Sequence, residues 1–414
     1  MLLRARVVLP ISLPPIENGA VLVSGNRIAD VGRWTDLRGQ AAAVCDLGES
    51  ILLPGLINAH CHLDYTGMAG KISPPKSFPD WIKALLALKA HWSYTEYAQS
   101  WLEGTKMLLR NGVTTVGDIE AVPELLPEAW NSTALRVCSF LEMTGVKSRR
   151  LSPEILHEAC QRIDLLRSEK DSAGLSPHAP YSTSPQLLRL TGEIARQRHW
   201  LVTTHVAESE PEFEMYMSRR GPLFDWLEDQ RDMSDCGRGS PVRHLAGQGL
   251  LGNNLLAVHV NYLASEDARV LSESGTHVVH CPRSHAYFNH QPFPWNELVS
   301  AGVNVCLGTD SLVSTRRSSK ARPLELDLFE EMRIFKRFTA NPGFEQIVRM
   351  ATVNGAKALG LAGQIGELGP GALADLIAIP HHGAAGDAYA GVVQHKGSVS
   401  AVMIDGKWAF GPSI

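Results

Sequence analysis

The chain has no paired cysteines, no basic runs and no long apolar stretches, and each absence removes a class of protein. Its seven cysteines (45, 61, 138, 160, 236, 281 and 306) are odd in number and scattered, with no CxxC pair. That argues against a disulfide framework or a zinc ribbon, and the expected setting is reducing and cytoplasmic. Lys+Arg numbers 39 against Asp+Glu 43, a net charge of -4. Such a balance leaves no electrostatic footprint for nucleic acid and no polybasic membrane anchor. No apolar run approaches the ~20 residues of a membrane helix. The stretch MLLRARVVLPISLPP is broken by Arg4, Arg6, Pro10 and Pro14, so no signal segment is expected there. With 24 Pro and 36 Gly, usage is ordinary and extended disorder is not expected. No low-complexity tract or internal repeat stands out.

What remains is a chain of 414 residues, 44% hydrophobic, with a mean hydropathy of -0.07. At ~150 residues per domain this is two or three units. The first fifty residues and the last forty read as short β-segments punctuated by Gly and Asn. Between them, apolar β-type runs at 51–59, 113–116, 135–141, 173–176, 200–204, 255–258, 277–279 and 303–307 alternate with helical stretches. Eight such runs without a Pro/Gly-rich linker predict an α/β fold, a parallel (β/α)8 TIM-like barrel. An open doubly wound sheet would want a Gly-rich phosphate loop after an early strand, and Asn58-Ala59-His60-Cys61-His62 is not one. The segment 211–250 exceeds one crossover helix and is expected to cap the barrel top.

The sharpest feature is PGLINAHCH at 54–62. Side chains two apart on a strand share a face, so His60 and His62 point one way and Cys61 the other. Two imidazoles at the C-terminal end of a barrel strand can grip a metal ion; alone, the pair could equally be structural. Further polar residues then close one run after another. His178 follows the fourth run, His205 and Glu208 the fifth, His259 the sixth and Asp310 the eighth. Barrel topology gathers these ends on one rim, and their coincidence there carries more weight than any single histidine.

Together, PGLINAHCH, SPHAPYS, THVAE, the lone His259, HCPRS, GTDS and GELGPGALADL make the sequence resemble the metal-dependent amidohydrolase superfamily over nearly its whole length. Within it, the chain is similar to the heteroaromatic aminohydrolases: S-adenosylhomocysteine/methylthioadenosine, aminodeoxyfutalosine and guanine deaminases, and triazine chlorohydrolases. The resemblance implies that the two termini, 1–57 and 364–414, build a small β-sandwich beside a barrel at 58–363. It implies His60, His62, His205 and Asp310 as ligands of one divalent metal, Zn²⁺ first, with Fe²⁺ or Mn²⁺ as alternatives. No lysine stands on the fourth strand, where binuclear relatives carry a bridging one, so a mononuclear site is expected. Hydroxide on the metal would attack the amine-bearing carbon, Glu208 would protonate the ring nitrogen, Asp310 would accept the proton of the water, and His259 would orient it. Glu208 also has a plainer reading as one acid among several at a helix N-terminus.

For the substrate, a small molecule, the expected contacts are His178, Trp81 on an apolar helical stretch, Glu142, and the basic loop from Lys147 to Arg150, with Arg149 and Arg150 able to receive a carboxylate. Glu96 is a candidate for sugar hydroxyls. His280 is expected to be structural. The sequence departs from its relatives where Ser284-His285, followed by Tyr287 and Phe288, replaces the usual Ser-Asn. The reaction implied is release of ammonia from an amino-substituted N-heterocycle: a purine base, a nucleoside or an aminodeoxyfutalosine-like compound. The alternatives are a triazine-type chlorohydrolase, a cyclic amide or formimino hydrolase on the same metal centre, and a non-catalytic barrel acting as a binding protein. Relatives of this kind form dimers or larger assemblies, so a homo-oligomer is an expectation as well.

Overall fold

The computed structural model of the chain describes all residues except 42, 74–75, 147–149, 167, 317–322 and 412–414. Five strands come first: β1 (Leu2–Val8), β2 (Ile16–Ser24), β3 (Arg27–Arg33), β4 (Val44–Asp46) and β5 (Ser50–Pro54). Then β6 (Leu56–Cys61), β7 (Val113–Glu120), β8 (Arg136–Met143), β9 (Ser172–Pro177), β10 (Val202–Val206), β11 (Leu255–His259), β12 (His277–His280) and β13 (Val305–Leu307) alternate with helices. The chain ends with β14 (Leu376–Pro380), β15 (Ala401–Ile404) and β16 (Lys407–Phe410). Each of the eight apolar runs that predicted the barrel overlaps one of its strands.

Strands β6 to β13 form one parallel sheet in sequence order. It closes where Cys61 bridges to Asp310 and the amides of Thr309 and Asp310 donate to the His60 carbonyl at 3.0 and 3.1 Å. Ile57, Ile119, Phe140, Leu256, Val258, Val279 and Cys306 come from six of these strands and pack together as one apolar cluster across the barrel. The helices bury a second, larger layer against the outside, as with Leu108, Leu187, Leu245 and Phe329. This is the packing that a β-run and helix alternation demands, because each strand is covered on both faces.

The termini also join as expected, with one refinement. Their strands lie on a single hydrogen-bonded path, β16-β15-β14-β5-β1-β2-β3, with β4 also on β1. Arg27 of β3 bridges back to Leu373, and Leu3, Val21, Ile28, Leu52, Leu376 and Met403 share one core. The terminal unit is thus a sheet curled around its own core.

One expected run is two strands. Residues 51–59 cross from the terminal sheet to the barrel, and β5 and β6 separate at Pro54-Gly55. Proline removes a ladder donor, and a Cβ on Gly55 would lie 2.1 Å from Thr114 Oγ1. The Gly55 amide instead donates to the Asp375 carbonyl at 3.0 Å, tying the N-terminal and C-terminal halves of the terminal unit to the first barrel strand. Gly55→Ala should therefore destabilise the fold by about 1–3 kcal/mol, the usual cost of overpacking. A lower urea midpoint with an unchanged slope is the expected result.

Candidate active site

The rim formed by the C-terminal ends of the barrel strands gathers the histidines. His60 lies at the end of β6 and His62 just after it, His205 lies in β10, His259 closes β11, and Asp310 follows β13. The ring centroids of His60 lie 5.0 Å from His62 and 4.9 Å from His205. His205 is 5.5 Å from His62 and from His259. Asp310 Oδ1 stands 3.7 Å from His60 Nε2 and 3.6 Å from His62 Nε2. Its other oxygen accepts from Ser314 Oγ at 2.8 Å, which orients the carboxylate toward the imidazoles. All five side chains are buried.

Four residues in three turns on this rim hold backbone that L-residues rarely adopt. Ala207, His259, Val260 and Asp310 have φ of +50°, +76°, +48° and +54°. Strain of this sort costs about 1–3 kcal/mol per residue and persists only where the surroundings over-determine it. Here the amides of Val260 and Asn261 donate to the carbonyls of Val206 and Ala207 at 3.0 and 2.9 Å, so the two turns lock one another.

The protonation states suit a cation. Burial, and after it the neighbouring His60, pushes His62 down to about 3. Burial does the same to His259, also to about 3, and drives His205 well below the usual imidazole range. Burial alone would raise Asp310, yet His60, His259 and His62 hold its carboxyl well below the usual range. Neutral imidazoles beside an ionised carboxylate are the ligating forms. Among the described residues, both ring nitrogens of His60, Nδ1 of His62 and Nε2 of His259 are buried without a hydrogen-bond partner. Left so, they would each cost free energy. His205 Nδ1 donates to the His178 carbonyl at 2.8 Å, which fixes the tautomer and leaves Nε2 with its lone pair, as metal-binding histidines are usually set. Sets of three ligand atoms drawn from His60, His62, His205, His259, Glu208 and Asp310 lie within 4.8 Å of one another. The donor set fits one divalent ion.

Glu208 stands beside this centre, with Oε1 at 3.5 Å from His259 Nε2. Burial, then Asp310 and Glu212, raises its carboxyl well above the ordinary range. A carboxyl raised in this direction suits proton donation to a substrate. Its acidic neighbour is not a surface charge. Glu212 is fully buried and accepts from the amides of Ala207 and Glu208 at 3.0 and 2.8 Å.

A pocket of roughly 270 Å³ opens over the centre. One wall is the helix Phe78–Lys89, whose Trp81, Ile82, Leu85, Leu86 and Lys89 line it together. Their spacing is one face of a helix. Trp81 is held by Phe78 and Phe288, at centroid distances of 5.9 and 5.1 Å. The 211–250 segment closes another side through Trp226, Leu227 and Gln230. It is anchored by Arg231, which donates to the carbonyls of Pro180 and Tyr181 at 3.1 and 3.2 Å. His178 lines the pocket, with Nδ1 2.7 Å from Ser182 Oγ. Glu142 lines it too, and Lys89 Nζ lies 3.8 Å away. Lys89 also donates to the hydroxyl of Tyr65, whose ring stacks on His62 at 5.2 Å.

Two expected substrate contacts are placed elsewhere. Arg150 pairs with Glu158 at 2.5 Å and donates to the Glu154 carbonyl, and it is not among the residues lining the pocket. Lys147 and Arg149 lie outside the described residues. Glu96 is exposed and forms a capping box with Ser93, so it serves the helix Tyr94–Arg110. His280 stacks on Phe293 at 3.7 Å, within the packing as expected. Lys89, Tyr65, Tyr181 and Gln230 were not foreseen. For Lys89 a signal existed, because it falls on the same helical stripe as Trp81 and Leu85.

Comparison with known proteins gives the family of this chain and its fold. The chain is 33% identical over 384 residues to the 5-methylthioadenosine/S-adenosylhomocysteine deaminase of Syntrophobacter fumaroxidans, covering 88% of this chain and 80% of that one. Its fold matches a crystal structure of aminofutalosine deaminase from Helicobacter pylori in complex with methylthio-coformycin. The TM-score is 0.87 at 22% identity, over 99% of this chain and 100% of the other. It also matches a zinc-bound adenosine deaminase from Xanthomonas campestris, with a TM-score of 0.84 at 24% identity, over 99% and 92%. Residues 51–409 match the model of the amidohydrolase family, and the chain belongs to that family.

Proposed function

We propose that this hydrolytic deaminase acts on adenosine-like nucleosides, with zinc as its resident ion and a reducing, cytoplasmic location that suits its seven free cysteines. The carrying observation is the pairing of a proton-holding Glu208 with a buried histidine and carboxylate centre at the floor of one pocket. The relatives named above, deaminases of methylthioadenosine, S-adenosylhomocysteine and aminofutalosine, support the choice of substrate class.

A divalent ion held by His60, His62, His205 and Asp310 would supply Lewis-acid activation of a water. Asp310 takes the proton that this water gives up as it attacks the amine-bearing ring carbon. Glu208 protonates the adjacent ring nitrogen at the same time, so the ring becomes tetrahedral at carbon without building a nitrogen anion. His259, 3.5 Å from Glu208, orients the attacking oxygen. Asp310 then passes its proton to the amine, the carbon–nitrogen bond breaks and ammonia leaves, while the hydroxyl proton on the ring carbon returns to Glu208 as the carbonyl forms. His178 meets the ring edge, Trp81 offers a stacking face, and Glu142 with Lys89 provides an acceptor and a donor for polar groups beyond the ring. Neutral walls from Leu85, Leu86, Trp226 and Leu227 accommodate an apolar substituent further out.

The test is ammonia release by zinc-loaded protein on adenosine, 5′-deoxyadenosine, methylthioadenosine, S-adenosylhomocysteine, aminodeoxyfutalosine, guanine and 8-oxoguanine, with Asp310→Asn as control. Release from one or more nucleosides, lost in the control, is expected. Turnover confined to the guanine-type bases, or chloride release from a chlorotriazine with every nucleoside inert, would replace this reading.

A further inference from the structure

We propose that Asn261 and Glu212 are positioning residues for Glu208, and that His285 acts on Glu208 through Asn261. The inference rests on Glu208 being the proton carrier. The backbone of Glu208 is held at both its N–H and its carbonyl by buried side chains. Its N–H donates to Glu212 Oε2 at 2.8 Å, and its carbonyl accepts from Asn261 Nδ2 at 2.8 Å. Asn261 is 4% exposed and Glu212 is fully buried, so neither bond is shared with bulk water.

The need for such a bracket lies in the backbone. Ala207, immediately before Glu208, has φ of +50°, and a non-glycine residue held there relaxes unless its neighbours prevent it. Glu212 takes the Ala207 amide as well, at 3.0 Å, and the Asn261 amide donates to the Ala207 carbonyl at 2.9 Å. Fixing this turn fixes the Cα–Cβ direction of Glu208, and hence the distance from its carboxyl to the reacting ring nitrogen.

The third member follows from the valence of an amide. Because the Asn261 NH₂ faces a carbonyl, its oxygen faces His285 Nδ1, 3.0 Å away, and that nitrogen must carry the hydrogen. Burial pushes His285 down to about 4, so the ring stays neutral in this tautomer. His285 thus stops the Asn261 amide from rotating, and the Ser284-His285 departure in the sequence finds its use here. It stands on the short helix Pro282–Phe288, which brings the segment after β12 to bear on the turn after β10.

The experiment measures ammonia release by zinc-loaded variants on methylthioadenosine, or on whichever panel nucleoside turns over. Asn261→Leu keeps the volume and removes both hydrogen bonds. It should lower kcat roughly 10- to 100-fold, the scale of a misplaced catalytic group, with KM and bound zinc unchanged. His285→Leu should lower kcat in the same manner, His285→Gln should recover most of it by restoring a donor, and the double Leu variant should be no slower than Asn261→Leu alone. Additive losses, a loss confined to KM or zinc content, or an unaltered kcat would overturn the proposal. Should Asn261→Leu fail to fold, the comparison of His285→Leu with His285→Gln at the half-buried position decides it. Glu208→Gln separates the two levels: if it stays fully active, the proton-carrier reading itself fails. If it is inactive while the Asn261 and His285 variants are normal, only the bracket fails.

Discussion

Glu208→Gln should lower kcat by roughly 10²- to 10⁴-fold, the range that a positioned general acid contributes. KM for the nucleoside should change little, and bound zinc should stay stoichiometric. The substitution keeps the shape of the side chain and removes only its exchangeable acid proton. Because burial and the nearby Asp310 and Glu212 keep that carboxyl protonated well above the ordinary range, the amide is close to an isostere of the resting state. Folding stability should therefore be preserved or slightly improved, since the amide spares a buried acid its unfavourable ionisation. A kcat within tenfold of the parent, measured with zinc confirmed bound, would remove Glu208 from the chemistry. Glu208→Asp tests reach, because it retains the acid but retracts it by one methylene, and an intermediate rate is expected.

Metal removal has the second large effect. Chelation should bring turnover to background, and zinc should restore it, with Fe²⁺ and Mn²⁺ as the comparison ions. Stability must move with it. The centre holds buried imidazoles, with both ring nitrogens of His60, Nδ1 of His62 and Nε2 of His259 lacking a hydrogen-bond partner among the described residues, and a carboxylate held well below its usual range despite full burial. An ion that binds this folded arrangement and not the unfolded chain stabilises by mass action, by about 4 kcal/mol when its free concentration is a thousand times Kd. The thermal midpoint should therefore rise with zinc concentration in the parent and stay flat in Asp310→Asn. A parent midpoint indifferent to zinc, with activity unaffected by chelators, would show that the histidines serve packing alone.

The ligand candidates were readable in sequence because each follows an apolar strand of fixed periodicity, and the barrel carries every strand end to the same rim. The strand runs were readable for the same reason, covered faces making continuous apolar stretches. The crossing at Pro54-Gly55 was hidden within one such run: both strands it joins are fully buried, so hydrophobicity does not change where the sheets do.

The pocket wall followed a different rule. Glu142 was legible as the end of β8, but its partner Lys89 comes from a helix more than fifty positions earlier, and only packing puts its ammonium 3.8 Å away. Arg150 looked like an anion receptor until the helix beside it supplied Glu154 and Glu158. Glu212 is one of the acids at the helix N-terminus beside Glu208, and only burial makes it a clamp on the backbone.

The sequence by itself determined the barrel and put polar candidates at its strand ends, since periodicity and strand-end position are local properties, while the joining of the termini and the ligand and proton-carrier roles were implied by the family resemblance. The tertiary structure alone decided which charges are neutralised, which acids keep their protons and which turns are held in strain. Those depend on burial and on partners far apart in the chain, and no local pattern of residue types encodes them.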